Sequence, residues 1–81
     1  MIEKMALLNE LRPGMKGTIR RVSGEGGLKR RLLDMGIIPG SPFEVVKLAP
    51  LGDPVDIKIK GYHLSLRKEE AKQITVNIGG V

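Results

Sequence analysis

The chain has 81 residues, of which 41% are hydrophobic and 28% are charged, and it carries a net charge of +5. This length predicts a single domain over residues 1–81 with one small core. The chain has no cysteine, which excludes disulfides and thiolate metal sites, and no apolar run approaches the roughly 18 residues of a membrane span. The composition therefore predicts a soluble, cytoplasmic protein without a membrane segment of its own.

The first two predicted elements are a short helix and an irregular strand. In "ALLNELRPG", Leu7, Leu8 and Leu11 fall on one helical side, and the Pro-Gly pair ends the segment. The next segment, "GTIRRV", has the composition of a strand, but Ile19 and Val22 are out of phase with a period of two. Such a phase break indicates a bulged strand at the corner of a small barrel.

A basic helix over about residues 27–35 comes next, after the glycines of "SGEGG". Leu28, Leu32 and Met35 form one apolar stripe on it, and Gly36 is suited to end it in a left-handed conformation. Glycines before a helix can cradle phosphate. However, this loop lacks the nucleotide-binding motifs, so a tight strand-to-helix connection is the favoured interpretation.

The clearest predicted element is a β-hairpin. The segments "VDIKI" and "YHLSL" alternate apolar and polar residues, which predicts strands over 55–59 and 62–66 joined at Lys60-Gly61. In this register Ile57 faces Leu64, and all apolar pairs share one face. "FEVVKL" adds a strand with a second phase break at the adjacent Val45 and Val46, and "ITVNI" adds another strand. Between the hairpin and this last strand, "RKEEAKQ" predicts one helical turn. Phe43 and Tyr62 are the only aromatic residues, and we expect both to be buried.

About five short strands with one inserted helix predict a mainly β fold, a small SH3-like barrel, with an OB-like barrel as the alternative. The only histidine, His63, is expected to face Lys58 on an exposed face, where a general base would lack an orienting carboxylate. The carboxylates show no ligand spacing. We therefore predict no catalytic residue, no metal site and no cofactor. A weak divalent-ion site, formed by His63 and a carboxylate of a neighbouring molecule, is the alternative.

The positive net charge makes nucleic acid a candidate partner, but an aromatic content of 2% offers no platform for stacked bases.

Three motifs, "GLKRRLLDMGIIPG", "APLGDP" and "IKGYHLSLRKEEAKQI", occur in this order. With them the chain resembles the FeoA family of bacterial ferrous-iron uptake over about residues 7–76. The resemblance implies an SH3-like barrel and a cytosolic accessory protein of FeoB, a membrane transporter with a cytoplasmic G-protein domain.

The predicted function is therefore a non-enzymatic accessory role in ferrous iron uptake, through contact with the cytoplasmic part of a FeoB-like transporter. The protein would bind no nucleic acid and would meet the membrane only through this partner. A nucleic-acid-binding barrel and a weak transition-metal-binding or sensing module are the alternatives.

A docking surface is predicted from apolar and basic residues that lie outside the apolar stripe of the helix. Leu33 is rotated by about 100° from Leu32 and cannot fully share its face. The predicted surface comprises three apolar residues, with three cations that would steer an acidic partner: Leu33, Ile38, Leu51, Lys29, Arg30 and Arg31. The alternative is that the apolar members all belong to the core.

Overall fold

The computed structural model describes residues 3–24 and 26–79. In chain order the elements are β1 (Glu3–Leu7), a 3₁₀ turn (Leu8–Glu10), β2 (Lys16–Val22), α1 (Gly27–Asp34), β3 (Pro42–Leu48), β4 (Val55–Ile59), β5 (Tyr62–Leu66), α2 (Lys68–Ala71) and β6 (Ile74–Gly79). Within the described ranges no helix has the length and apolarity needed to cross a membrane.

All six strands belong to one antiparallel sheet, in the order β1-β6-β2-β3-β4-β5. The sheet curls around a single core and forms a small, barrel-like fold, which confirms the predicted mainly β class. It has six strands rather than about five. Among the described residues no strand joins β1 to β5, so these two strands are the edges of the sheet.

The hairpin of β4 and β5 has the predicted register. Ile57 lies opposite Leu64, and Ile59 lies opposite Tyr62. Lys60 and Gly61 both have positive φ angles, 52° and 83°, as a two-residue hairpin turn of the type I′ class requires. The local pattern was therefore sufficient to fix both the strands and their pairing.

The two phase breaks in the sequence correspond to irregular pairing. The register of β2 against β6 shifts between Ile19 and Arg21, and that of β3 against β4 shifts between Val45 and Lys47. Each shift allows an extra residue on one strand, which bends the strand and returns the next apolar side chain to the core. The prediction of bulged strands is confirmed.

Helix α1 ends as its sequence predicts. Gly36 has a φ of 98°, its N–H donates to the Leu33 carbonyl, and the Ile37 N–H donates to the Leu32 carbonyl. These two bonds form a Schellman motif, which satisfies carbonyls at the helix end. Ile37 and Leu32 are both fully buried. The tight loop predicted before α1 includes Glu25, which lies outside the described residues; Gly24 and Gly26 on either side of it have positive φ angles.

The helix predicted around Leu7, Leu8 and Leu11 is wrong. The chain is extended through β1, where Ala6 pairs with Val76 of β6, and only one 3₁₀ turn follows. Pairing with β6 supplies backbone hydrogen bonds that the local helical pattern cannot reveal. Leu8 and Leu11 are nevertheless buried, because the turn directs both into the core.

The helical turn predicted in "RKEEAKQ" is α2, and the strand predicted in "ITVNI" is β6, so both predictions are confirmed. Strand β6 continues to Gly79. Gly80 and Val81 lie outside the described residues. The buried core draws on every strand of the sheet except β1, and on both helices, and contains these residues: Leu8, Leu11, Ile19, Val22, Leu32, Ile37, Phe43, Val45, Val55, Ile57, Ile59, Leu66, Ala71, Ile74 and Val76.

The expectation that both aromatic residues are buried holds for Phe43 but not for Tyr62, which is 44% exposed. Tyr62 begins the edge strand β5, so its ring lies at the rim of the core rather than inside it. Its hydroxyl donates a hydrogen bond of 2.8 Å to the Met35 carbonyl at the end of α1. Tyr62 therefore ties the edge of the sheet to the helix.

Replacing Tyr62 with phenylalanine is expected to lower the free energy of unfolding by about 0.5–1 kcal/mol, because it removes this hydrogen bond and leaves the packing of the ring unchanged. Chemical denaturation of the two proteins measures the difference. An unchanged or higher stability of the phenylalanine variant would contradict the assigned role.

Candidate interaction surface

The cationic side chains of α1 are on the surface, as predicted. Lys29, Arg30 and Arg31 are all exposed. Arg31 forms an ion pair with Glu70 of α2, with a distance of 3.2 Å between Nη1 and Oε2. In residues 3–24 and 26–79 no carboxylate lies within ion-pair distance of Lys29 or Arg30. These two charges are therefore available to a partner.

The three apolar residues of the predicted surface have different environments. Leu33 is half-buried and packs against the core. Ile38 is 41% exposed, and Leu51 is 88% exposed. Leu51 is thus the most exposed of the large hydrophobic side chains in the described part of the chain, while Leu33 contributes to folding.

Strand β3 separates Ile38 from Leu51. Ile38 precedes this strand and Leu51 follows it, and its seven residues span about 20 Å. The two side chains therefore lie at opposite ends of β3. A partner would need to extend along the strand in order to contact both.

The loop that carries Leu51 is held by hydrogen bonds within it and to α2. The Gly52 N–H donates to the Ala49 carbonyl at 2.8 Å, which closes a β-turn with Leu51 at its tip. The Asp53 carboxylate accepts a 3.0 Å hydrogen bond from the Lys68 N–H, and it also forms an ion pair with Arg67 at 3.4 Å. A large apolar side chain is therefore presented on an ordered loop.

The same end of the molecule contains the ion pair of α1. The Glu70 carboxylate accepts a 2.8 Å hydrogen bond from the Arg67 N–H through Oε1 and pairs with Arg31 through Oε2. Glu70 is only 6% exposed. A chain of polar contacts thus connects Arg31 through Glu70 and Arg67 to Asp53. We call this region the loop end: the loop 49–54, α2 and the Arg31 side of α1.

Sequence reasoning identified Leu51 and the cations but missed the contacts that connect them. The ion pair of α1 joins Arg31 to Glu70 of α2 rather than to a carboxylate of the same helix. Residues this far apart in sequence give no local signal of their contact. The hydrogen bond that Asp53 accepts from the Lys68 N–H of α2 gives no local signal for the same reason.

His63 is exposed and lies opposite Lys58, as expected. Across residues 3–24 and 26–79, no three histidine, aspartate or glutamate side chains come together as metal ligands would.

We expect Fe²⁺ and Zn²⁺ to bind the monomer with dissociation constants weaker than about 1 μM, because no convergent ligand set is available. Calorimetry on the wild type and the His63→Ala variant is the test. A stoichiometric site of higher affinity that is lost in this variant would contradict the prediction.

Comparison with known proteins gives a consistent family assignment. The family model for the FeoA domain matches residues 6–78. The Fe(2+) transport protein A/Fe(2+) transporter FeoB fusion protein of Porphyromonas gingivalis is 44% identical over 71 residues, which are 88% of this chain and 8% of the fusion protein. The chain therefore corresponds to a small part of that relative.

Solved structures agree with this assignment. The solution structure of iron(II) transport protein A from Clostridium thermocellum has a TM-score of 0.86 and 41% identity, and the match covers 93% of this chain and 46% of that one. A zinc complex of FeoA from Stenotrophomonas maltophilia, called a prokaryotic SH3 domain protein, has a TM-score of 0.75 and 26% identity, with coverages of 85% and 86%. The fold of this chain is therefore SH3-like, as predicted.

Proposed function

The chain belongs to the FeoA domain family, and from this premise we propose that it is an accessory protein of ferrous iron uptake that acts by binding the cytoplasmic part of a FeoB-like membrane transporter. The observation that carries the proposal is the Porphyromonas gingivalis fusion, in which a related sequence and a FeoB transporter are one polypeptide. Covalent linkage raises the effective concentration of one part for the other. It is therefore favourable where the two parts work in contact.

The proposed contact is at the loop end. Leu51 is the apolar anchor, since hydrogen bonds already hold the loop that carries it, so that binding does not have to order the loop backbone. Lys29 and Arg30, which have no ion-pair partner among the described residues, supply positive charge that steers an acidic partner surface, and Arg31 adds to it beside Glu70. Ile38, at the other end of β3, lies outside this contact, and Leu33 packs against the core beneath it.

The proposed role is non-enzymatic, with a cytoplasmic location that follows from the cytoplasmic G-protein domain of the partner. It includes no binding of nucleic acid. Two cations of the sheet lie opposite carboxylates in the strand register: Lys58 is opposite Glu44, and Lys47 is opposite Asp56. Such alternation is a poor match for a continuous phosphate backbone. Binding to RNA or DNA that falls steeply with salt would favour the nucleic-acid alternative instead.

The test is ferrous iron uptake in cells that lack the gene for this protein and carry the transporter. We expect reduced uptake, restored by the wild-type chain but not by a Leu51→Asp variant expressed at the same level. Val46→Asp is the matched control, because Val46 is 41% exposed on β3 but lies outside the loop end. Undiminished uptake in cells that lack the gene would contradict the proposal.

A further inference from the structure

The outer edge of β1 is an open β-strand edge. Among the described residues, β1 has only β6 as a strand partner. The Leu7 N–H donates to the Glu10 carboxylate at 2.8 Å, so it does not serve the pairing with Thr75. Because hydrogen-bonded and non-bonded pairs alternate in an antiparallel ladder, the pair of Met5 and Asn77 is also non-bonded. The N–H and carbonyl of Met5 therefore point away from the sheet.

The close approach of β2 to β6 independently supports this pattern of hydrogen-bonded and non-bonded pairs. A Cβ atom added at Gly17 of β2 would collide with the Asn77 carbonyl oxygen. That carbonyl therefore faces β2, on the side of β6 opposite to β1. Met5 is then left with both backbone groups directed to solvent, and its side chain is 58% exposed.

A groove of about 480 Å³ runs along this edge. Its apolar lining includes Leu11, Met15 and Ile78, which belong to the core or pack against it. Lys4 and Arg12 form a cationic rim, and the rim carboxylate of Glu10 is already engaged by the Leu7 N–H. The groove thus combines a free strand edge, an apolar floor and a net positive rim.

We propose that this groove binds an extended acidic segment of a partner protein, which adds a strand to β1 and alternates carboxylates with apolar side chains. Main-chain hydrogen bonds to Met5 would supply affinity, and the alternating side chains would supply specificity. Lys4 and Arg12 select acidic over basic segments by charge complementarity. The inference goes beyond the proposed function, because the groove residues are separate from Leu51 and from α1.

The probe is a short fluorescent peptide in which aspartate and valine alternate, and its control is the same peptide with lysine in place of aspartate. We expect the acidic peptide alone to bind. Met5→Pro should weaken binding by about tenfold, because it removes the outward N–H while sparing the pairing with β6. Met5→Ala keeps this N–H and should weaken binding less.

A double variant, Lys4→Glu with Arg12→Glu, should abolish binding of the acidic peptide, and it keeps the test decisive even where Met5→Pro fails to fold. Equal binding of both peptides, or binding unchanged in this double variant, would overturn the proposal, as would failure of the wild type to bind. Dimers seen by sedimentation and dissolved by Met5→Pro would assign the edge to a second copy of the chain, and would also overturn it. None of these outcomes depends on transporter binding at the loop end.

Discussion

Replacing Leu51 with aspartate is expected to weaken binding to the cytoplasmic part of a FeoB-like transporter by at least about tenfold, with little change in thermal stability. Leu51 is 88% exposed, so its replacement removes few contacts within the protein. Surface substitutions of this kind change stability by about 0.5 kcal/mol or less. A buried carboxylate in the complex, in contrast, would carry a large desolvation penalty.

Two further variants determine which end of β3 docks. Val46→Asp should bind like the wild type, and Ile38→Asp should have a smaller effect than Leu51→Asp if the loop end is the main contact. Leu33 is unsuited to this comparison, because it packs against the core and a polar replacement would disturb folding. Wild-type binding by the Leu51→Asp variant would show that the loop end is not the contact.

Replacing Gly17 with alanine is expected to lower the free energy of unfolding by about 3 kcal/mol, which corresponds to a decrease in Tm of roughly 15 °C. The added Cβ would collide with the Asn77 carbonyl oxygen across β2 and β6. The obstacle is backbone in the middle of the sheet, so it cannot move aside as a flexible side chain would. A thermal melt followed by circular dichroism measures the change.

Gly27→Ala is the matched control for this prediction. Gly27 is the first residue of α1, and an added Cβ there would meet nothing within 4 Å. Alanine also favours helix more than glycine does, so the stability should be equal or slightly higher. Equal melting temperatures of the Gly17→Ala variant and the wild type would contradict the close approach of β2 and β6.

The parts of the fold that were predictable are those in which neighbouring residues determine the outcome. The hairpin follows from a period of two around Lys60-Gly61, and the end of α1 follows from Gly36 and the apolar residue after it. Strand β1 was not predictable, because its conformation depends on pairing with β6, at the other end of the described chain. Its own sequence favours a helix, and the distant partner overrides it.

The candidate surface could likewise be predicted only in part from the sequence. An exposed leucine between two prolines and a run of cations can be recognised from residue types alone. The separation of Ile38 from Leu51 by β3 requires the topology, and the contact of Arg31 with Glu70 requires the packing of α1 near α2. The groove along β1 was missed because the strand that forms it was missed.

Titration calorimetry between this protein and the purified cytoplasmic part of its FeoB-like transporter is the direct test of docking at the loop end. It should be run with GTP, with GDP and without nucleotide. We expect saturable binding in at least one of these states, with a dissociation constant below about 100 μM, lost in Leu51→Asp and retained in Val46→Asp. Failure to detect binding in all three states, or equal binding by both variants, would contradict it.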